Sequence, residues 1–204
     1  MDGFQGHATA SKQLLPTTRR VMDPFHVVRL AGDKLTRCRQ RLQQEKYHRR
    51  GLRDDPLYKN RKTLLTTQKW LSEKQTQRLD ELFSFDKDYA GLQLMWQGYQ
   101  GIIDCYNMAD KRRAKTMMRE IIDQMRLLKG RANRELAQLG RSLHERLGDI
   151  LAYFDAGVSN GPVEAINGRL EHLCGIALGF RNLNHYIIRC LNHSGQLTHK
   201  INAL

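Results

Sequence analysis

Two acidic residues that are far apart in the chain stand where their carboxylates could act together. Glu164 follows Asn160-Gly161-Pro162, which predicts the start of a helix because Asn and Gly cap helices and Pro fits the first turn. Asp23 lies between a short β-prone run and Pro24, which predicts a strand-to-helix turn. A pair of carboxylates can bind a hard divalent cation. Each acid also has an ordinary explanation, because Asp23 can be a helix N-cap and Glu164 can complement a helix dipole.

The residues around these two acids form an ordered series of motifs. Asp23 leads into Phe25-His26-Val27-Val28, and the later series comprises Asn160-Gly161, Glu164, Asn167 and Gly179-Phe180-Arg181-Asn182. With a long helical stretch between them, these motifs resemble the second and third acidic motifs of bacterial insertion-sequence transposases of the ISL-three family. The resemblance covers nearly the whole chain, from about Asp2 to Tyr186.

This resemblance implies a fold. Members of the family have a ribonuclease-H-like α/β core, so we expect a mainly α chain that is the C-terminal part of such a core, with few strands left and a long all-helical insertion. The expected division is a core remnant at residues 1–50, a helical insertion at 51–155, and a returning core helix with a basic tail at 156–204.

The same resemblance implies a metal-dependent activity. Asp23 and Glu164 are expected to be catalytic ligands of Mg²⁺ or Mn²⁺ in phosphodiester cleavage and strand transfer, where two ions about 4 Å apart activate the attacking oxygen and stabilise the leaving one. The family's first aspartate is expected on a strand upstream of this chain, and Asp2 does not match it because its surroundings resemble a later family element. We therefore expect a C-terminal transposase fragment that is inactive alone and possesses no complete metal site.

Other polar residues complete the expected site. His26 either supports the acids or packs behind them, while Asn160 and Asn167 serve the helix start, its packing or DNA contacts. Repeated positive charge suits phosphate contacts, and the expected DNA-binding residues are Arg49, Arg50, Arg53, Arg169 and Arg181. The chain departs from the family at Cys174, where a basic residue is usual, and again after Leu191.

The composition favours a nucleic-acid partner. The chain has 34 Lys and Arg against 21 Asp and Glu, a net charge of +13 that attracts a polyanion. No run approaches the roughly 20 apolar residues that span a bilayer, and the first residues do not form a secretory signal, so we expect a cytoplasmic protein without a membrane partner. The four cysteines are widely scattered and are expected to be free thiols rather than zinc ligands.

Apolar spacing predicts helices through most of the chain. A helix from Pro24 toward Arg50 has one buried stripe at Val28, Ala31, Leu35, Cys38 and Leu42. Further helices are predicted at about Phe4 to Leu15, Leu57 to Trp70, Ser72 to Phe83, Asp86 or Asp88 through Tyr106, Asp110 to Gly130, and Leu136 to Phe154. The one predicted strand is Arg20 to Met22.

Two classes of function remain open. The first is an enzyme, namely the part of a transposase that acts with the missing N-terminal portion or as a homo-oligomer. The second is a non-catalytic basic helical module for DNA binding or assembly. No Walker loop, nucleophile elbow or dinucleotide fingerprint points to other chemistry. An upstream reading frame that encodes the first aspartate would favour the enzyme.

Overall fold

The computed structural model describes residues 20–48, 51–157 and 161–194, with the backbone alone at 161–164, 166–167 and 194. These parts of the chain are mainly helical and contain no strand. The chain divides into two compact units, residues 1–158 and 159–204. The helix predicted at about Phe4 to Leu15 lies outside the described residues.

Seven α-helices make up the described part of the first unit. In chain order they are α1 Pro24–Tyr47, α2 Pro56–Lys59, α3 Glu73–Phe85, α4 Ala90–Asn107, α5 Lys111–Leu127, α6 Arg134–Glu145 and α7 Leu147–Ala156. Single 3₁₀ turns lie between them at Thr63–Leu65, Gln68–Trp70, Lys87–Tyr89 and Arg131–Asn133. The described part of the second unit contains α8 Gly161–Ile176 and α9 Leu183–Ser194.

Helix α1 begins and ends at residues whose chemistry suits helix termini. Asp23 caps its first turn and Pro24 is its first residue, while His48 ends it in the left-handed region at φ 50° and donates its N–H to the Gln44 carbonyl. The predicted apolar stripe is buried, except that Val27 rather than Val28 is the fully buried valine at its start. The long basic helix is therefore confirmed, with an end three residues short of Arg50.

The core of the first unit lies around α4. Leu92, Met95 and Ile102 of this helix are fully buried, and α4 packs against α1 on one side and α5 on another. Helices α5 and α6 approach so closely that a Cβ on Gly140 would lie 2.4 Å from the backbone nitrogen of Arg126. The stretch between the two acids is mainly helical in its described residues but also contains turns and loops, so its expected all-helical character is confirmed only in part. Helix α1 shares one core with the helices that follow it. The expected domain boundary at residue 50 stays a proposal.

Three expectations about single elements are wrong. Arg20 to Met22 forms no strand, because the Met22 N–H donates to the carbonyl of Asp149 in α7 at 2.9 Å instead of to a neighbouring strand. The stretch Leu57 to Trp70 is only partly α-helical, since α2 is four residues long and two 3₁₀ turns follow it. The helix predicted from Leu136 to Phe154 is two helices, because Arg146 leaves helical geometry at φ −112° and ψ 15°.

No helix of the described residues is both long enough and apolar enough to cross a membrane.

Candidate functional site

Asp23 is buried at the point where the chain enters α1. Its side chain is only 6% exposed, and its Oδ1 accepts a hydrogen bond from the Phe25 N–H at 2.8 Å. Its carbonyl accepts from the His26 N–H at 3.1 Å. Asp23 is therefore a true N-cap, as the Asp-Pro sequence predicts. Capping occupies one position on a carboxylate that has about four lone-pair sites, so it does not exclude a second ligand.

Helix α7 holds the segment that precedes Asp23. The Asp149 carbonyl accepts from the Met22 N–H, and the Asp149 carboxylate lies 3.4 Å from Arg20 Nε and 3.3 Å from Arg146 Nε. The Asp149 side chain is 13% exposed, so this carboxylate bridges two arginines at a largely buried position. The backbone beside Asp23 is consequently fixed by a helix more than a hundred residues further along the chain.

The aromatic cluster of α4 and α7 lies near Asp23. Tyr106 stacks on Phe154 with ring centroids 5.4 Å apart and meets the Tyr153 ring edge-on at 5.3 Å. Burial raises the pKa of the Tyr106 hydroxyl, and the charge of Asp23 adds to this rise. The Tyr106 hydroxyl oxygen is buried and has no hydrogen-bond partner among the residues that the structure describes. The sequence predicts Tyr106 only as the last residue of a helix, and no sequence signal connects it with Asp23.

His26 lines a cavity on the same side of α1. The cavity has a volume of about 300 Å³, and Arg29, Asp33 and Arg146 also line it. His26 is half-buried, and its ring meets that of Phe25 edge-on at 5.5 Å. The structure therefore places His26 beside the Asp23 turn, and its expected supporting role stays a prediction.

Glu164 belongs to the second unit. It is the fourth residue of α8, which begins at Gly161 with Pro162 in its first turn, so the predicted helix start is confirmed for the backbone. The side chains of Glu164 and Asn167, and the whole of Asn160, lie outside the described residues. Pairing of Glu164 with Asp23 remains a prediction.

A bound divalent cation needs several ligands close together. Among the side chains that the structure describes, no three His, Cys, Asp or Glu residues lie close enough together to hold a metal ion. The Asp23 carboxylate offers the oxygen ligands that Mg²⁺ and Mn²⁺ prefer, but it belongs to no such group among the described side chains. The described side chains thus do not form a complete metal site, and the expected ions need ligands from beyond them.

The expected DNA-binding arginines are exposed where the structure describes them. Arg53 lies in the turn before α2, Arg169 on α8 and Arg181 in the turn between α8 and α9, and all three are exposed. The Arg169 Nε donates to the Ala165 carbonyl at 3.3 Å within its own helix. Arg49 and Arg50 lie outside the described residues.

The motif Gly179 to Asn182 builds the turn that joins α8 to α9. Gly179 has φ 90°, a conformation that favours glycine, and its N–H donates to the Cys174 carbonyl to close α8. Phe180 packs against Tyr186 at 5.2 Å, and the Asn182 side chain accepts from the N–H groups of Asn184 and His185 as an N-cap of α9. Three of the four motif residues therefore have a structural role in the turn, whereas Arg181 is exposed and its side chain takes no part in these contacts.

Cys174 and Cys190 both lie close to the Tyr186 side chain in this helix pair. Hydrogen bonds with the two thiols raise the pKa of Tyr186 to about 12. All four cysteines of the chain are free thiols, as expected.

Comparison with known proteins gives one match. Residues 1–190 match the family described as transposase, of the DDE type and the ISL-three group. No curated protein and no solved structure matches the chain. The family is shown, because the match spans both acidic motifs and nine-tenths of the chain. The ribonuclease-H-like core stays a prediction, because no solved structure matches the chain. The chain belongs to the ISL-three family of DDE transposases.

Proposed function

We propose that this transposase chain supplies Asp23 and Glu164 as two of the three carboxylates of a metal-dependent site, and that it cuts and joins DNA only when another segment supplies the first aspartate. The observation that carries this proposal is the family match over residues 1–190, a span that contains both acids. The motifs around the two acids resemble those in which the family has its second and third carboxylates. No other acid upstream of Asp23 fits the first position, since Asp2 stands in a different family element.

The contact of α7 with the segment before α1 supports the proposed pairing of Asp23 with Glu164. Asp149 holds Arg20 and Met22 directly before Asp23. Helix α7 ends at Ala156, eight residues before Glu164. Helix α7, the last helix described before α8, thus contacts the segment that leads into Asp23.

The proposed role of the two acids is to hold cations. When bound, Mg²⁺ or Mn²⁺ activates the attacking oxygen of phosphodiester cleavage and stabilises the leaving oxygen. Asp23 suits such ligation because its backbone is fixed by the hydrogen bonds of α1 on one side and by Asp149 on the other. A ligand on a rigid element keeps its position when a cation binds.

DNA is the proposed partner of the exposed arginines. Because the proposed partner is DNA, the proposed site of action is the cytoplasm. Contacts with phosphates release counterions, so we expect the affinity for duplex DNA to fall steeply with salt. Replacing Arg53, Arg169 and Arg181 together by Gln should weaken binding and reduce the salt dependence. Arg126→Gln is the matched control, because Arg126 is an exposed arginine that is already paired with Asp123 at 3.0 Å. Equal affinity at low and high salt, measured with a labelled duplex, would contradict the electrostatic account.

Cleavage is tested by supplying the missing carboxylate. The chain is joined to a segment that carries the first aspartate motif of the family, and nicking of plasmid DNA is measured with and without Mg²⁺ or Mn²⁺. We expect metal-dependent nicking that both Asp23→Asn and Glu164→Gln abolish, and no nicking by the unsupplemented chain. Persistent nicking in either variant would refute the assigned ligands, and metal-dependent nicking by the chain alone would refute the need for a third carboxylate.

The same experiment distinguishes the two function classes. If the joined protein binds DNA but does not nick it in either metal, the non-catalytic module for DNA binding or assembly replaces the enzyme. If the joined protein neither binds nor nicks DNA, both classes fail.

A further inference from the structure

The stretch between α2 and α3 is held rigidly although it contains little α-helix. The buried amide of Gln100 donates to the Thr66 carbonyl at 3.0 Å and accepts from the Gln68 N–H at 2.9 Å. The Tyr99 hydroxyl donates to the Leu65 carbonyl at 3.0 Å. These bonds join α4 to the backbone of the segment 63–70 at Leu65, Thr66 and Gln68, so the backbone of this segment is held in place.

Trp70 points away from the protein at the end of this anchored segment. Its side chain is 73% exposed, whereas Leu64 in the same segment is buried in the core. Exposing a large ring on a fixed backbone leaves a flat apolar face in water, where it gains nothing for folding. Trp70 is the most exposed aromatic residue of the described part of the chain.

Positive charge precedes this ring in the sequence, and the first acid after it is Glu73, three residues later. The stretch 58–70 contains Lys59, Arg61, Lys62 and Lys69 and no Asp or Glu. The Lys69 ammonium lies 5.7 Å from the centre of the Trp70 ring, and the Arg61 guanidinium lies 4.0 Å from the centre of the Tyr58 ring. Lys62 and Lys69 are exposed. Aromatic faces beside cations are the combination that binds single-stranded nucleic acid, since a ring stacks on a base while a cation meets the phosphate.

We propose that Trp70 is a stacking site for an unpaired base of single-stranded DNA, with Lys69 contacting the adjacent phosphate. Bases within an intact duplex are covered on both faces by their neighbours, so Trp70 can stack only on a base whose face is open. The site thus distinguishes unpaired from paired DNA and does not recognise the base sequence. This inference rests on the proposed DNA partner, but it requires no cleavage.

The test measures the affinity of the full chain for three labelled probes: oligothymidine, an abasic strand of equal length, and a duplex hairpin. Trp70→Ala should weaken oligothymidine binding by about 5- to 100-fold, which is the typical effect of losing the stacking of one base on an aromatic ring. It should leave the affinities for the abasic strand and the duplex within about twofold. Trp70→Tyr should retain most of the affinity, and Lys69→Gln should weaken both single strands but not abolish the preference for bases.

Phe85→Ala is the matched control, because Phe85 is another highly exposed aromatic residue of the first unit, at 65% exposure, but the cation over its ring, Lys46, is already paired with Asp86. This variant should bind all three probes like the unmodified chain. Thermal unfolding of each variant checks the fold, which removal of an exposed ring should not disturb.

Three results would overturn the inference: no change in oligothymidine binding for Trp70→Ala, an equal loss on the abasic strand, or a stronger Trp70 dependence for anionic vesicles or polyglutamate than for DNA. If the chain binds no DNA at all, the proposed DNA partner fails together with the stacking site. If it binds single strands and duplex without any dependence on Trp70, the stacking site alone fails.

Discussion

Asp23 combines two roles that a pair of substitutions can separate. As an N-cap it needs an oxygen acceptor for the Phe25 N–H, and as a proposed metal ligand it needs a negative charge. Asn provides the acceptor without the charge, whereas Ala provides neither. The structure supports the first role directly, and the second rests on the family.

We predict that Asp23→Ala lowers the free energy of unfolding by about 1 kcal/mol or somewhat more, because the cap is lost at a buried position. Asp23→Asn should change it by less than about 0.5 kcal/mol, since Asn caps helices as well as Asp. Urea denaturation of the two variants measures the difference. Similar losses for both would mean that the negative charge itself stabilises this turn.

A second residue-level feature is the ion pair between α1 and α6. Arg41 donates from Nε and from its second terminal nitrogen to the two carboxylate oxygens of Glu135, at 2.8 and 2.9 Å. The two side chains are only 10% and 5% exposed. Burial alone raises the pKa of Glu135, but the hydrogen bond and the charge of Arg41 outweigh burial, so the net pKa is lowered. Arg41 also pairs with Glu45, at 3.0 Å.

We predict that this pair makes stability depend on acidic pH. A carboxyl group whose pKa is lowered on folding contributes stability that is present above its unfolded value, about 4.3, and is lost as the pH falls through the folded value. Glu135→Gln should destabilise the protein by about 3 kcal/mol at pH 7, because it leaves Arg41 with a weaker buried partner. It should also flatten the stability profile below about pH 4.5.

Urea denaturation from pH 3 to pH 7 measures this effect, with Glu45→Gln as the control because the Glu45 side chain is 33% exposed. An acid dependence for Glu135→Gln as steep as that of the unmodified chain would show that other carboxyl groups cause it.

At the scale of elements, close helix contacts depend on glycines. A Cβ on Gly140 would lie 2.4 Å from the Arg126 nitrogen and 2.6 Å from the Met125 carbonyl carbon, and both atoms are backbone that cannot move aside as a side chain can. Gly148 in α7 has nothing within 4 Å of the same position. The two glycines therefore allow the cost of crowding to be separated from the gain in helix propensity.

We predict that Gly140→Ala lowers the free energy of unfolding by about 2 kcal/mol or more, because α5 and α6 must separate. Gly148→Ala should be neutral or stabilise the protein by up to about 1 kcal/mol through helix propensity. Urea denaturation of both variants under identical conditions makes the comparison. If Gly140→Ala were as stable as Gly148→Ala, the close α5–α6 contact would be wrong.

At the scale of the whole molecule, the proposed site requires residues from both compact units. Asp23 belongs to the first unit and Glu164 to the second. The proximity of the two acids is a prediction that rests on the resemblance of their motifs to those of the family. If Asp23 were only a helix cap and Glu164 only a partner of a helix dipole, neither role would require the two acids to lie close together.

We predict that the carboxylates of Asp23 and Glu164 share a metal cluster. A crystal structure of the protein with Mn²⁺ and the segment that supplies the first aspartate should place both on the same pair of ions. A separation of more than roughly 10 Å would contradict the prediction, because ions about 4 Å apart cannot bridge it. Glu164→Gln crystals serve as the control and should lose Mn²⁺ without losing the fold.

The sequence by itself determined the features that depend on neighbouring residues. Asp23 before Pro24 predicts a helix start because a cap acts on N–H groups two or three residues away, and the spacing from Ala31 to Leu42 predicts a buried face because helix period is local. The family motifs and the basic surplus are likewise written in the chain, so the transposase family could be identified without coordinates.

Only the tertiary structure decided features that depend on distant partners. The short run before Asp23 has strand propensity, yet Asp149 of α7 supplies its hydrogen bond and no strand forms. The stretch after α2 has helical spacing, yet the Gln100 side chain of α4 forms hydrogen bonds with two of its backbone groups. The stretch therefore forms no single helix, and Trp70 at its end is exposed. A backbone N–H or carbonyl that is removed from water must find a partner, and a partner a hundred residues away leaves no mark on local periodicity.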